Sequence, residues 1–196
     1  MASTPGKIYT RRGDQGQTRL LSGERVSKDN DRVQTYGALD ELQAQLGMAL
    51  SLIRHESFRS IICAIQEDII LAAAELASSP EAALQSARRI DQGDVVRLED
   101  WIDECTELYS LPRRFVRPGR SADSAAVHVA RAVCRRCERF IVMLNRHAGG
   151  YDDLLVYFNR LSDLLFVVAW CLEVNAVVEK VVCELAACVC TEGSGR

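Results

Sequence analysis

His128, Arg131, Arg135, Glu138 and Arg139 recur at spacings of three and four residues. On a helix this places them along one face over about three turns, or roughly 15 Å. Guanidinium groups in such a row can grip phosphate oxygens in pairs. Arginines at i and i+4 also repel one another, so the row calls for a compensating anion: Asp40, Glu41, Asp163 or a bound phosphate. A solvated charged face is the plainer explanation of the same pattern, and spacing alone leaves both open.

Two further stretches carry polar chemistry. Thr10-Arg-Arg-Gly13-Asp-Gln-Gly16-Gln-Thr18 sets two glycines three apart among hydroxyls and arginines, a composition that can wrap backbone N–H groups around phosphate. It lacks the GxxxxGK[ST] spacing of a P-loop, and a simple glycine turn accounts for it equally well. Asn159 and Asp163 lie at i and i+4 in an otherwise apolar segment, where polar groups are costly unless paired or used. A structural network with the preceding helix and a ligand contact both fit.

The elements that must position these residues are helical. Residues 1–32 have no sustained periodicity and read as a glycine-rich loop, with an extended piece at Lys7–Thr10. From Arg32 onward Val33, Tyr36, Leu39, Leu42, Leu46, Ala49 and Ile53 mark one helix, and Phe58, Ile61, Ile62, Ile65, Ile69, Ala72 and Leu76 a second, which ends near Ser79-Pro80. Val95, Leu98, Ile102, Cys105 and Leu108 predict a third after Asp91. Ser121 is a candidate N-cap for a fourth helix to about Arg146, with Ala125, Val129, Ala132, Val133, Phe140 and Leu144 as its core stripe. Gly149-Gly150 breaks it, and Asp152 or Asp153 caps a fifth running to about Lys180 or beyond. No alternating strand pair is apparent. The expectation is an all-α protein: an antiparallel five-helix bundle, resembling four-helix and ferritin-like bundles, with a glycine-rich N-terminal loop. The chain divides as one domain over 1–196: a loop at 1–32, the bundle at 33–182 and a tail at 183–196.

Composition bounds the function. With 196 residues, 48% hydrophobic and 26% charged, the chain has the make-up of one globular domain. Its longest apolar run, Leu164–Leu172, is far short of a membrane span, and no signal segment opens the chain, so a soluble, cytoplasmic protein is expected. Net charge is −3, yet residues 1–36 sum to +3 and residues 113–139 to +6. Local basic segments in an acidic background suit a small polyanion better than nucleic acid. Of the eight cysteines, Cys63, Cys105 and Cys171 fall in apolar periodic stretches and read as buried hydrophobes. Cys134-x-x-Cys137 lacks a matching second pair, and Cys183, Cys188 and Cys190 read as free thiols. No metal site is expected.

Taken in order, Lys7–Thr18, Gly23–Lys28, Arg32–Leu42, Phe115-Val-Arg-Pro-Gly119, His128-Val-Ala-Arg131, Arg135-Arg-Cys-Glu-Arg139 and Asn159-Arg-Leu-Ser-Asp163 resemble the ATP:cob(I)alamin adenosyltransferases of the trimeric five-helix-bundle family, the propanediol-utilisation type. The resemblance implies transfer of the 5′-deoxyadenosyl group of ATP to the cobalt of cob(I)alamin. Triphosphate is the leaving group and adenosylcobalamin the product. Orientation and stabilisation of leaving-group charge are what such a protein supplies.

The resemblance also assigns roles. Thr10, Arg11, Arg12, Gly13, Thr18, Arg19 and Lys28 would hold the phosphates, with Mg²⁺ arriving on the ATP. Arg135, Arg136, Glu138, Arg139 and Asn159 would be helix-borne nucleotide contacts. Asp40 and Arg131 would form an ion pair across a subunit boundary. Phe115 would pack on the lower corrin face, excluding the lower cobalt ligand so that cob(II)alamin is easier to reduce. A homotrimer follows, together with a cobalamin reductase and an adenosylcobalamin-dependent enzyme as partners. Arg117, Arg120, Cys137 and Trp170 depart from the family's usual residues. Two rivals stand beside this reading: an adenosylcobalamin carrier without turnover, and a non-catalytic helical scaffold.

Overall fold

The computed structural model describes residues 9, 11–78 and 88–192, with side chains described to residue 186. Five helices form the body: α1 (Asp31–Leu52), α2 (Glu56–Ala77), α3 (Gln92–Leu108), α4 (Ala122–Ala148) and α5 (Asp152–Glu192). Short turns reverse the chain between α1 and α2 and between α4 and α5. α4 packs between α1 and α5, while α2 lies on α1 and α3 on α5. One apolar core runs through all five, including Leu39, Leu42, Ile62, Ile65, Leu98, Ile141, Tyr157 and Phe158.

Local chemistry sets the helix ends. Asn30 caps α1 by accepting from the Arg32 N–H. Asp91 and Asp94 close a capping box at the start of α3. Gly149 and Gly150 take positive φ values of 69° and 84°, a conformation that ends α4 and that L-residues adopt at a cost. Ser121 occupies the N-cap position of α4, but its side chain makes no capping bond. Asp152 and Asp153 lie inside the first turn of α5, where negative charge suits the helix dipole. Asp152 there accepts from Asn145 Nδ2.

The expectations of no strand pair, of the α4 core stripe and of a buried Cys63 are corrected. The N-terminal region contains an antiparallel strand pair, β1 (Gln17–Arg19) and β2 (Arg25–Ser27), in the register Gln17↔Ser27, Thr18↔Val26 and Arg19↔Arg25. The core stripe of α4 is Ala126, Val127, Ala130, Val133, Cys134, Cys137, Ile141 and Leu144, while Val129 is 46% exposed. α1 and α5 grip α4 from two sides, so its inward arc is rotated from the expected one. Leu108 is 80% exposed and Cys63 is also exposed. α5 is helical from Asp152 to Glu192, in keeping with a fifth helix expected to run to about Lys180 or beyond.

By length and composition α5 could cross a membrane over Asp152–Ala186, but 56% of its apolar window is buried inside the bundle. Burial of Leu161, Leu164, Leu165, Val168 and Leu172 marks that half as a core helix.

Candidate active site

The β1–β2 hairpin is a cationic cradle. Leu21 N–H donates to Ala77 C=O at 2.9 Å and Leu20 is buried, so the hairpin is seated on the end of α2. Its exposed face carries Arg19 directly opposite Arg25, an arrangement in which like charges destabilise a strand pair. A cleft of about 630 Å³ beside it is lined by Arg12, Gly13, Gln17, Thr18, Arg19, Arg25 and Lys28. Its described lining thus holds four cations and no carboxylate, the electrostatics of a polyanion site. Gly13 lets Lys28 approach: a Cβ there would stand 3.1 Å from Lys28 Nζ.

Of the residues expected here, Arg12, Gly13, Thr18, Arg19 and Lys28 line the cleft, and Arg25 is an addition. Only pairing across the hairpin brings Arg25 in, and these three-residue strands carry no apolar alternation to reveal it. Arg11 does not line the cleft; at φ 58° its guanidinium lies 5.6 Å from the Tyr9 ring centroid. Thr10 lies outside the described residues.

The α4 face is a different environment. Arg136 pairs with Glu41 of α1. Glu138 accepts from Asn159 Nδ2 at 3.1 Å, Asn159 accepts from Arg160 Nη1 at 2.8 Å, and Arg160 Nε donates to Glu99 at 2.7 Å. Arg139 donates to the Arg135 carbonyl, and Arg135 reaches Ser162 Oγ only at 3.5 Å. Among the described residues no carboxylate pairs with Arg135 or Arg139, both exposed. Asp163 is exposed and stands apart from this network.

A second cleft, about 540 Å³, is lined by residues of the 112–118 loop, including Phe115, and by His128, Arg131 and Phe166. Phe115 is 107% exposed. His128 is only 6% exposed, and among the described residues neither ring nitrogen has a hydrogen-bond partner. Burial, with Arg131 nearby, lowers its pKa and holds the imidazole neutral. Arg131 Nε is likewise buried without a partner. Asp40 does not meet Arg131 within the chain; it lines a groove between α1 and α2 with Tyr36, Gln43 and Ile70.

The Cys134-x-x-Cys137 pair is structural. Cys134 Sγ donates to Phe158 C=O of α5 at 3.5 Å, and Cys137 Sγ to Ala38 C=O of α1 at 3.2 Å. Burial raises both thiol pKa values, that of Cys137 to about 12, so both stay protonated and inert. Side chains of Cys188 and Cys190 lie outside those described.

Leu144, packed at the hairpin base, lies thirteen residues along α4 from Arg131, or roughly 20 Å.

Residues 8–172 match the family model described as cobalamin adenosyltransferase. A corrinoid adenosyltransferase of Citrobacter freundii is 39% identical over 163 residues, covering 83% of this chain and 93% of that protein. The corrinoid adenosyltransferase PduO of Salmonella typhimurium is 39% identical over 162 residues, but this chain spans only 48% of its length. Among solved structures, a variant PduO-type ATP:corrinoid adenosyltransferase from Lactobacillus reuteri complexed with cobalamin and ATP matches with a TM-score of 0.80. It is 34% identical, and the match covers 85% of this chain and 91% of that one.

Proposed function

This chain belongs to the cobalamin adenosyltransferase family and carries out ATP-dependent adenosylation of cobalamin, and we propose that its active site is completed only between subunits. The hairpin cradle of one subunit holds the triphosphate, while the α4 face and the Phe115 cleft of a neighbour hold the nucleoside end and the corrin. The buried Arg131 Nε without a hydrogen-bond partner among the described residues, with Asp40 lining a different groove of the same chain, is the observation that supports this reading.

In the displacement, the cobalt nucleophile attacks the 5′ carbon and triphosphate departs with the bonding electrons. The charge that develops there is met by Arg12, Arg19, Arg25 and Lys28, and by Arg135 and Arg139, the last two without a paired carboxylate among the described residues. Arg136, Glu138 and Asn159 are held by Glu41 and Arg160 and act by orienting those neighbours and the adenosine. Asp40 of one subunit pairs with Arg131 of the next, giving Arg131 a carboxylate that it does not meet among the described residues of one chain. Phe115 covers the lower corrin face. Mg²⁺ travels with the ATP phosphates, since the cradle's four cations and its Thr18 hydroxyl fit phosphate oxygens rather than a metal. A homotrimer in the cytoplasm, supplied with reduced corrinoid by a reductase and delivering to an adenosylcobalamin-dependent enzyme, completes the reading.

Subunit complementation tests it. Lys28→Ala and Arg135→Ala chains, each inactive alone, are co-expressed so that mixed oligomers form. If each site draws one half from each neighbour, about a quarter of the sites in random mixtures are intact and activity returns. No recovery in verified mixed oligomers would place both halves in one chain.

A further inference from the structure

A phenylalanine ring standing wholly in solvent is not positioned by its own packing, so something else must set where Phe115 lies. Both ends of its loop are tied to α5. At the entry, Trp170 Nε1 donates to Ser110 C=O at 2.9 Å, and Tyr109 Oη lies 3.0 Å from Asn175 Oδ1. At the exit, Arg120 Nε lies 3.1 Å from Glu173 Oε1. Glu173 is 1% exposed, and neither carboxylate oxygen has a hydrogen bond. A buried carboxylate is costly without a counter-charge, so this ion pair holds the otherwise exposed Arg120 against the helix. Between the ties the described contacts include no hydrogen bond from residues 112–118 to the bundle. The loop is therefore a strap fastened at both ends and free in the middle.

We propose that Trp170 and the Arg120–Glu173 pair are positioning residues that fix the height of Phe115 over the corrin-binding cleft, and so decide how completely the lower cobalt ligand is excluded. This rests on the reading of Phe115 as the corrin-facing ring. Trp170 and Glu173 lie one turn apart on α5, and the strap inherits the rigidity of a helix whose adjacent residues Ala169, Cys171 and Leu172 are buried in the core. Slackening either tie lets Phe115 swing away without altering the nucleotide cradle.

The test follows the fraction of four-coordinate cob(II)alamin formed with Mg-ATP, by electron paramagnetic resonance, in wild type, Trp170→Phe, Glu173→Gln, Arg120→Ala, Arg120→Lys and Phe115→Ala. Trp170→Phe keeps an aromatic ring at the position and removes the indole N–H with the pyrrole half of the bicycle. It and Arg120→Ala should lower the four-coordinate fraction roughly twofold or more, reduce kcat and leave the KM for ATP unchanged. Arg120→Lys should restore most of it, and Trp170→Phe added to Phe115→Ala should change nothing further. Should Glu173→Gln fail to fold, the exposed Arg120 tests the same tie. A wild-type fraction in both Trp170→Phe and Arg120→Ala, with Phe115→Ala still abolishing the signal, overturns the strap and spares the reading of Phe115. A wild-type fraction in Phe115→Ala overturns both.

Discussion

Asp40 and Arg131 sit on helices that pack against each other, α1 and α4, yet face different clefts: Asp40 the groove beside α2, Arg131 the cavity under the Phe115 loop. The neighbouring pair Glu41–Arg136 does close within the chain, so the helices are near enough to pair charges and Asp40 is turned away. A pair joined across subunits should behave as one unit. Asp40→Ala and Arg131→Ala should each lower kcat/KM by roughly tenfold or more, and the double variant should lose no more than the worse single. The coupling should be about 1–3 kcal/mol. Additive losses in a double-mutant cycle would show that the two residues act separately.

Arg135 has one weak contact, to Ser162 at 3.5 Å, so its removal should scarcely touch stability. Arg135→Ala should reduce kcat by roughly 10²–10³-fold, the scale on which a lost oxyanion-type donor acts, with Tm unchanged within a degree or two. Near-normal turnover would remove Arg135 from leaving-group stabilisation.

The helices were legible because their signals are local: apolar periodicity in α2, the Asp91 cap, and Gly149-Gly150. The arginine row was legible for the same reason, since i and i+4 neighbours need no tertiary information. What could not be read was anything set by contact between elements. Gln-Thr-Arg and Arg-Val-Ser are strands of three residues with no apolar alternation, so neither the hairpin nor Arg25 could be found. The α4 stripe was misplaced because Val129 outranks Cys134 and Cys137 in hydropathy, whereas α1 and α5 bury the cysteines. Trp170 and Arg120 were visible only as departures from a family pattern; their common role emerges where α5 meets the loop.

The cradle makes a prediction of its own. Arg25→Ala should relieve the opposition to Arg19 in the free protein and so leave stability unchanged or slightly raised, while the KM for ATP rises several-fold. Gly13→Ala should act similarly, because its methyl would crowd the Lys28 ammonium. Thermal melts with and without ATP separate the effects: ligand-free Tm holds, and the ATP-induced rise shrinks. An unchanged ATP-induced rise would remove the hairpin from the phosphate site.

His128 predicts a pH dependence. Its folded pKa is lowered by burial and by Arg131, so the unfolded chain takes up its proton first as pH falls. The folded state therefore has its full stability above the ordinary histidine pKa of about 6.5, and loses this contribution as pH drops through that value towards the lowered one. Denaturant melts between about pH 7.5 and pH 5 should show a falling stability that flattens in His128→Gln. An identical slope in that variant would assign the acid sensitivity to other groups.

Transfer of adenosyl from ATP to cobalt is read out by an anaerobic assay with Mg-ATP and chemically reduced cob(I)alamin. The cob(I) absorption band should decay with formation of a light-sensitive adenosylcobalamin and one triphosphate per product. Persistence of the cob(I) band with no triphosphate released, from protein that is folded and binds corrinoid, would rule out adenosyl transfer and identify a carrier.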